Sequence, residues 1–180
     1  LVEVNCESDF VAKGDVFKNF VNGVAEYIMN NDVKSIEEVQ EANEAARVEA
    51  VAKCGEKITI RRFEKYVSND GEVDTYIHMG GKIGVMTEVV STADTAALQE
   101  LAFNLCMQIA ASKPTVVNIA DVDASQLDSE REILTAQAKN EGKPEAVIAK
   151  MVEGRIHKFY KEVCLLEQEY VRDSSLSVKQ

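Results

Sequence analysis

The chain has no run of about 18 apolar residues, the least that a membrane-spanning helix needs, so a membrane is not among its expected partners. No secretory signal peptide is visible at its start. Positive charge is scarce: 20 Lys and Arg stand against 31 Asp and Glu, for a net charge of −11. Phosphate recognition needs concentrated positive charge, so direct nucleic-acid binding is not expected. Histidine is limited to His78 and His157, too few and too scattered for a metal site. The four cysteines, Cys6, Cys54, Cys106 and Cys164, lie far apart, with no CxxC pair and no Cys/His zinc spacing. They read as reduced, mostly buried thiols of a cytosolic protein. With no nucleophile–base pair and no ligand set, neither an enzyme nor a metal or cofactor is expected.

What is present is the material for a core. Of 180 residues, 46% are hydrophobic, enough for one large or two small domains. The chain starts at Leu1, inside an expected strand and without an initiator Met, and is expected to be a fragment of a longer protein.

Leu1, Val2 and Val4, broken by polar residues, predict a short strand, and Asn5–Asp9 a turn. The turn hands Phe10 to the start of a helix, where Asp9 is a candidate N-cap. Phe10 either staples that helix down or waits for a partner. Helical spacing of Phe17, Phe20, Val21, Val24 and Ile28 predicts a helix over 15–31. A second is expected from Ser35 to Lys53, opened by a Ser35/Glu38 capping box and closed at Gly55. The period then changes, and 57–67, 73–78 and 82–90 read as strands. Turns at Asn69-Asp70-Gly71 and Gly80-Gly81 make them an antiparallel meander.

A helix is expected over 94–112, with Leu98, Leu101, Ala102, Leu105, Cys106 and Ile109 on one face, ended by Lys113-Pro114. Two more, 124–140 and 144–165, follow as an antiparallel hairpin, with Pro144 at the first helical position. The tail from Glu169 is polar and is expected to lead toward a further element.

Shifting the sequence by 85 residues lays Glu3-Val4 on Glu88-Val89 and Asp9 on Asp94. The apolar positions 16, 17, 20, 21 and 24 fall on 101, 102, 105, 106 and 109. The fold class is read as α+β: two related lobes, each with a strand, a turn and an amphipathic helix, plus the antiparallel helical hairpin as an arm. The expected boundaries are 1–91 for the first lobe, 92–123 with 166–180 for the second, and 124–165 for the arm. Opposite Phe10 the second lobe has Thr95, so the architecture does not demand an aromatic there.

Five segments then carry a resemblance. They are Val-Asn-Cys-Glu-Ser-Asp-Phe-Val-Ala at 4–12, Val-Ala-Lys-Cys-Gly-Glu-Lys-Ile-Thr-Ile-Arg-Arg at 51–62, and Tyr-Ile-His-Met-Gly-Gly-Lys-Ile-Gly-Val at 76–85. Gln-Ile-Ala-Ala-Ser-Lys-Pro at 108–114 and Lys-Met-Val-Glu-Gly-Arg-Ile at 150–156 complete the set. In this order they resemble translation elongation factor Ts, without its N-terminal helical domain and its C-terminal end. The resemblance implies an α+β core of two related lobes, each a small antiparallel sheet with packed helices, plus the antiparallel helical hairpin as a coiled-coil arm. For function it implies a guanine-nucleotide exchange factor for elongation factor Tu, met in its GDP-bound and nucleotide-free states. It further implies that Asp9-Phe10, with Val11, enters the G-domain and disturbs the elements that hold magnesium and the phosphates. Cys54-Gly55 and His78 match further contacts, although a small aliphatic is more familiar than Cys at 54. A cytoplasmic, bacterial location is implied, with an organellar matrix or stroma as the alternative. A homodimer stays open, as does a general α+β interaction module with another partner.

Overall fold

Alternating apolar and polar residues at the start of the chain make a short strand, β1 (Val2–Asn5), in the computed structural model, which describes residues 1–180. The chain divides into two units, Leu1–Phe103 and Asn104–Gln180. Its architecture is α+β, with seven α-helices and three two-stranded antiparallel sheets.

In the first unit β1 leads to α1 (Asp9–Lys13), which Gly14, in extended conformation, separates from α2 (Asp15–Asn30). Phe17, Phe20, Val24 and Ile28 of α2 are all buried, as a 3.6-residue period requires. The single helix expected over 35–53 is instead two, α3 (Ile36–Ala42) and α4 (Glu44–Cys54). Asn43 makes the break. Its buried side-chain amide donates to the Val39 carbonyl at 2.8 Å, and its own backbone leaves the helical region at φ −105°, ψ 5°. An Asn bonded in this way competes with the helical ladder. At the start of α3, Ser35 accepts from the Glu38 N–H at 3.3 Å, while Glu38 reaches back to the Lys34 N–H at 2.7 Å.

β2 (Thr59–Phe63) pairs antiparallel with β1. The expected meander is therefore corrected, because β3 (Gly71–His78) pairs with β4 (Ile83–Val90) and with no other strand. The reason is burial. Ile58 and Ile60 belong to the core of α2, α3 and α4, and Val2 and Val4 pack on that same core. Pairing β2 with β1 buries both apolar faces together, and Asn69-Asp70 simply lead into β3. A register slip between Glu3 and Val4 leaves Arg61 as an extra residue on β2. Neighbouring side chains on a regular strand point opposite ways; the bulge lets both arginines reach one carboxylate. Arg61 Nη1 and Arg62 Nε donate to Glu3 at 2.7 and 2.6 Å. The hydrogen bond from Arg61, then that from Arg62, holds the Glu3 carboxyl below its ordinary range.

A 3-10 turn, Met79–Gly81, joins β3 to β4 where the Gly80-Gly81 turn is expected. The buried Thr87 hydroxyl of β4 donates to the Ala102 carbonyl of α5 (Thr95–Ser112) at 3.0 Å. Leu98, Ala102, Cys106 and Ala110 of α5 are buried, whereas Leu101, expected on the same face, is 46% exposed.

In the second unit α6 (Ala124–Asn140) and α7 (Glu145–Val163) pack through Leu134 and Ala138 against Ile148, Val152 and Ile156. Pro144 is the residue just before α7 rather than its first helical one, with an extended ψ of 141°. The polar tail forms a hairpin of its own, β5 (Glu169–Tyr170) with β6 (Asp173–Ser177). Beside it two buried glutamines share their amides: Gln108 Nε2 donates to Gln168 Oε1 at 3.2 Å and Gln108 Oε1 accepts from the Val171 N–H at 2.8 Å. Gln168 Nε2 donates to the Glu162 carbonyl at 2.8 Å. No helix is long and apolar enough to cross a membrane.

Candidate functional site

The site is built from the residue before α1. Ser8 is extended (φ −126°, ψ 155°), and its hydroxyl oxygen accepts from the Val11 N–H at 3.3 Å, which makes it the N-cap. Asp9, the expected cap, is instead the first helical residue. Ser and Asp cap helices about equally well, and a distant carboxylate decides between them here. Glu56 accepts from the backbone N–H groups of Glu7 (3.0 Å) and Ser8 (2.9 Å) and from the Ser8 hydroxyl. Ser8 thus donates to Glu56 and accepts from Val11. The Ser8 hydroxyl foremost, and the Ser8 and Glu7 N–H groups with it, hold the Glu56 carboxyl below its ordinary 4.5.

A helix of five residues cannot persist alone, since isolated helices shorter than about 12 residues are marginal in water. Two anchors hold α1: the Glu56 tie at its start, and Val11 and Ala12, which pack on the α2 core. Phe10 belongs to neither. It is 90% exposed, more than any other large apolar side chain in the chain, and so does not staple the helix.

The remaining candidates lie at element ends. Cys54 closes α4, half-buried against the core, its thiol 3.9 Å from the Val51 carbonyl and 3.8 Å from that of Glu56. Gly55 caps α4 at φ 75°, its N–H donating to the Val51 carbonyl at 2.8 Å. A β-carbon there would meet nothing within 4 Å, so the left-handed backbone, not crowding, calls for glycine. His78 is exposed at the end of β3, its Nδ1 2.9 Å from the Tyr76 hydroxyl. Tyr76 in turn stacks edge-on against Phe103, with ring centroids 5.9 Å apart.

Two polar ties collect these pieces. Glu56, next to Gly55, fastens the α4–β2 corner to residues 7–8. Lys82, just past the Met79–Gly81 turn, reaches Asp9 at 3.1 Å. Segments 7–11, 54–56 and 78–82 are thereby brought together. Sequence reasoning missed Glu56 and Lys82 as members of the site. Both lie inside the motifs at 51–62 and 76–85, and an acid directly after a C-cap glycine is the one local signal that marks Glu56. Cys6 lies in the same corner, half-buried, with its thiol donating to the Ser8 carbonyl at 3.4 Å. Burial first, then the Glu56 charge, pushes that thiol above 9.0, which makes it a poor nucleophile. A groove of about 810 Å³ lies elsewhere, lined by residues that include Asp32, Lys34, Arg61 and Lys65 and by none of the candidates above.

Fold and site together define an α+β protein that presents an exposed aromatic side chain on a short helix, pinned by ties from two distant segments. The sequence model of the family described as elongation factor TS matches residues 7–180. Elongation factor Ts of Symbiobacterium thermophilum is 49% identical over 183 residues, and that of Clostridium perfringens (strain SM101) 45% over 185 residues. Each comparison covers 99% of this chain, and 60% and 61% of the respective relative. The chain belongs to the elongation factor Ts family. It spans about three fifths of the length of these curated relatives.

Proposed function

We propose that the chain carries the exchange surface of an elongation factor Ts, binding elongation factor Tu in its GDP-bound and nucleotide-free states and promoting GDP release. The observation that carries this reading is Phe10: an aromatic ring 90% exposed on a helix tied down on both sides. Exchange makes and breaks no covalent bond. It needs a partner that binds the nucleotide-free state better than the loaded one, and affinity for each ligand then falls reciprocally. Burial of one Phe supplies such preference up to a ceiling of about 1.5–3 kcal/mol, reached when the ring is buried in the nucleotide-free partner and not in the loaded one. In this reading Phe10 enters a pocket of the G-domain and displaces the elements that hold magnesium and the phosphates. Asp9 and Val11 orient it, and the Cys54-Gly55 corner and His78 contact the partner at its flanks.

The same reading treats 1–91 and 92–123 with 166–180 as two related lobes, and 124–165 as a coiled-coil arm. The 85-residue repeat supports the lobes. At that offset Asp94 accepts from the Ala97 N–H at 3.1 Å and caps α5, while Asp9 has passed the cap to Ser8 and pairs with Lys82. The apolar contact of α6 with α7 supports the arm.

The test is release of a fluorescent GDP analogue from elongation factor Tu, followed with this chain and with Phe10→Ala. Acceleration by the wild-type chain and its loss in the variant are expected. Release unchanged by stoichiometric wild-type protein refutes the reading.

A further inference from the structure

The β3–β4 turn takes three consecutive residues into the left-handed region: Met79 at φ 51°, Gly80 at 66° and Gly81 at 103°. Two of the three are glycine, which adopts that conformation freely. Met79 is not. Apart from Lys113 it is the one non-glycine residue of the chain with positive φ. Its side chain is 63% exposed, so packing inside the fold does not compensate for the backbone it imposes. A strained position occupied by an exposed apolar side chain is the pattern of a residue kept for contact rather than for stability. Its place agrees. Lys82, three residues on, bonds Asp9 at 3.1 Å, which holds the turn beside α1, where Phe10 stands 90% exposed.

We propose that Met79 is a second apolar contact for the partner that receives Phe10. The inference rests on the reading that Phe10 enters elongation factor Tu. The occupant of Met79 is an apolar depression on the same partner, beside the pocket for the Phe10 ring. An unbranched thioether chain fills irregular apolar gaps better than a branched or polar one. The Lys82–Asp9 pair is exposed on both sides and adds little to stability. It marks the β3–β4 turn and the start of α1 as neighbours.

The experiment compares Met79→Asn, Met79→Leu and Phe10→Ala in the GDP-release assay, in calorimetric titration onto nucleotide-free elongation factor Tu, and in thermal melts. Asn tolerates the left-handed backbone and removes the apolar chain. Met79→Asn is expected to weaken binding and slow release about tenfold with no fall in melting temperature. Met79→Leu, which restores an apolar side chain, recovers most of that loss. If Phe10→Ala abolishes exchange while Met79→Asn matches wild type, the role of Met79 is overturned and the wider reading stands. If Phe10→Ala itself exchanges normally, that reading fails and takes Met79 with it. A melting temperature for Met79→Asn well below wild type makes Met79 a structural residue and overturns the proposal as well.

Discussion

Phe10 and Phe20 stand ten residues apart in neighbouring helices and differ almost completely in environment, 90% and 7% exposed. Truncating each to Ala separates contact from stability. Full burial of a Phe side chain is worth about 1.5–3 kcal/mol. With a tenth of its surface covered, Phe10 contributes only about 0.2–0.3 kcal/mol to folding on the same scale. The better helix propensity of Ala, up to about 0.7 kcal/mol, offsets that, so Phe10→Ala leaves stability unchanged or slightly raised. Phe20→Ala removes a buried ring from the α2 core and costs about 3–5 kcal/mol. For a chain of this length 1 kcal/mol moves the melting temperature by about 2–4 °C, so the two variants separate clearly in a calorimeter. In exchange the order reverses. Losing about 1.5–3 kcal/mol of partner contact slows GDP release about 10- to 150-fold in Phe10→Ala, while Phe20→Ala, assayed below its melting temperature, retains its activity. A melting temperature for Phe10→Ala lowered by several degrees, with release intact, would refute the reasoning, because the ring would then hold the fold rather than the partner.

Three further outcomes follow from the geometry. The Glu56 carboxyl is held below 4.5 in the folded state, so its contribution is fully present above that value and is lost as pH falls through the folded-state value. Melting temperatures of wild type should therefore drop more steeply than those of Glu56→Gln between about pH 5 and 3; parallel curves would remove Glu56 as the pin of α1. Gly55→Ala places a β-carbon in open space but at φ 75°, and should cost about 1–2 kcal/mol in urea denaturation, with Gly55→Asn costing less. Gln108→Leu strands the Val171 N–H and the Gln168 side-chain oxygen beside the β5–β6 hairpin. A loss of about 2–3 kcal/mol is expected, and stability equal to wild type would show that water replaces the lost partners.

Periodicity made the long helices readable. The spacing of Phe17, Phe20, Val24 and Ile28 locates α2 to within a residue, and α6 runs over 124–140 as its pattern predicts. What periodicity cannot supply is a choice of partner. The strand at 59–63 is visible as alternation, yet its neighbour is β1 rather than β3, because the shared core of Ile58, Ile60, Val2 and Val4 decides the pairing. Asn43 breaks a helix that reads as continuous, since its effect depends on a side-chain bond to Val39. Ser8 and Asp9 are adjacent and equally suited to cap; Glu56, far along the chain, settles the matter. In the site, Phe10, Cys54, Gly55 and His78 stand out by type and motif. Glu56 and Lys82, which draw their segments together, act across long sequence separations and leave almost no local trace. The hairpin at the end of the chain is short and polar, so alternation does not reveal it.

The tie between Glu56 and Ser8 bears on how ordered α1 is before any partner arrives. Five residues cannot hold a helix by themselves, so the order of α1 depends on the carboxylate that the α4–β2 corner supplies and on the packing of Val11 and Ala12. The backbone entropy of the Phe10 segment is thus lost at folding. In the proposed reading a partner would meet Phe10 on a preformed backbone and be spared the ordering of a loose segment. The exposed ring would still give up its own rotamer freedom on docking, about 0.5–1.5 kcal/mol. A substitution at residue 56 would return that entropy to the free protein, slowing productive encounters while every side chain at the contact surface keeps its identity.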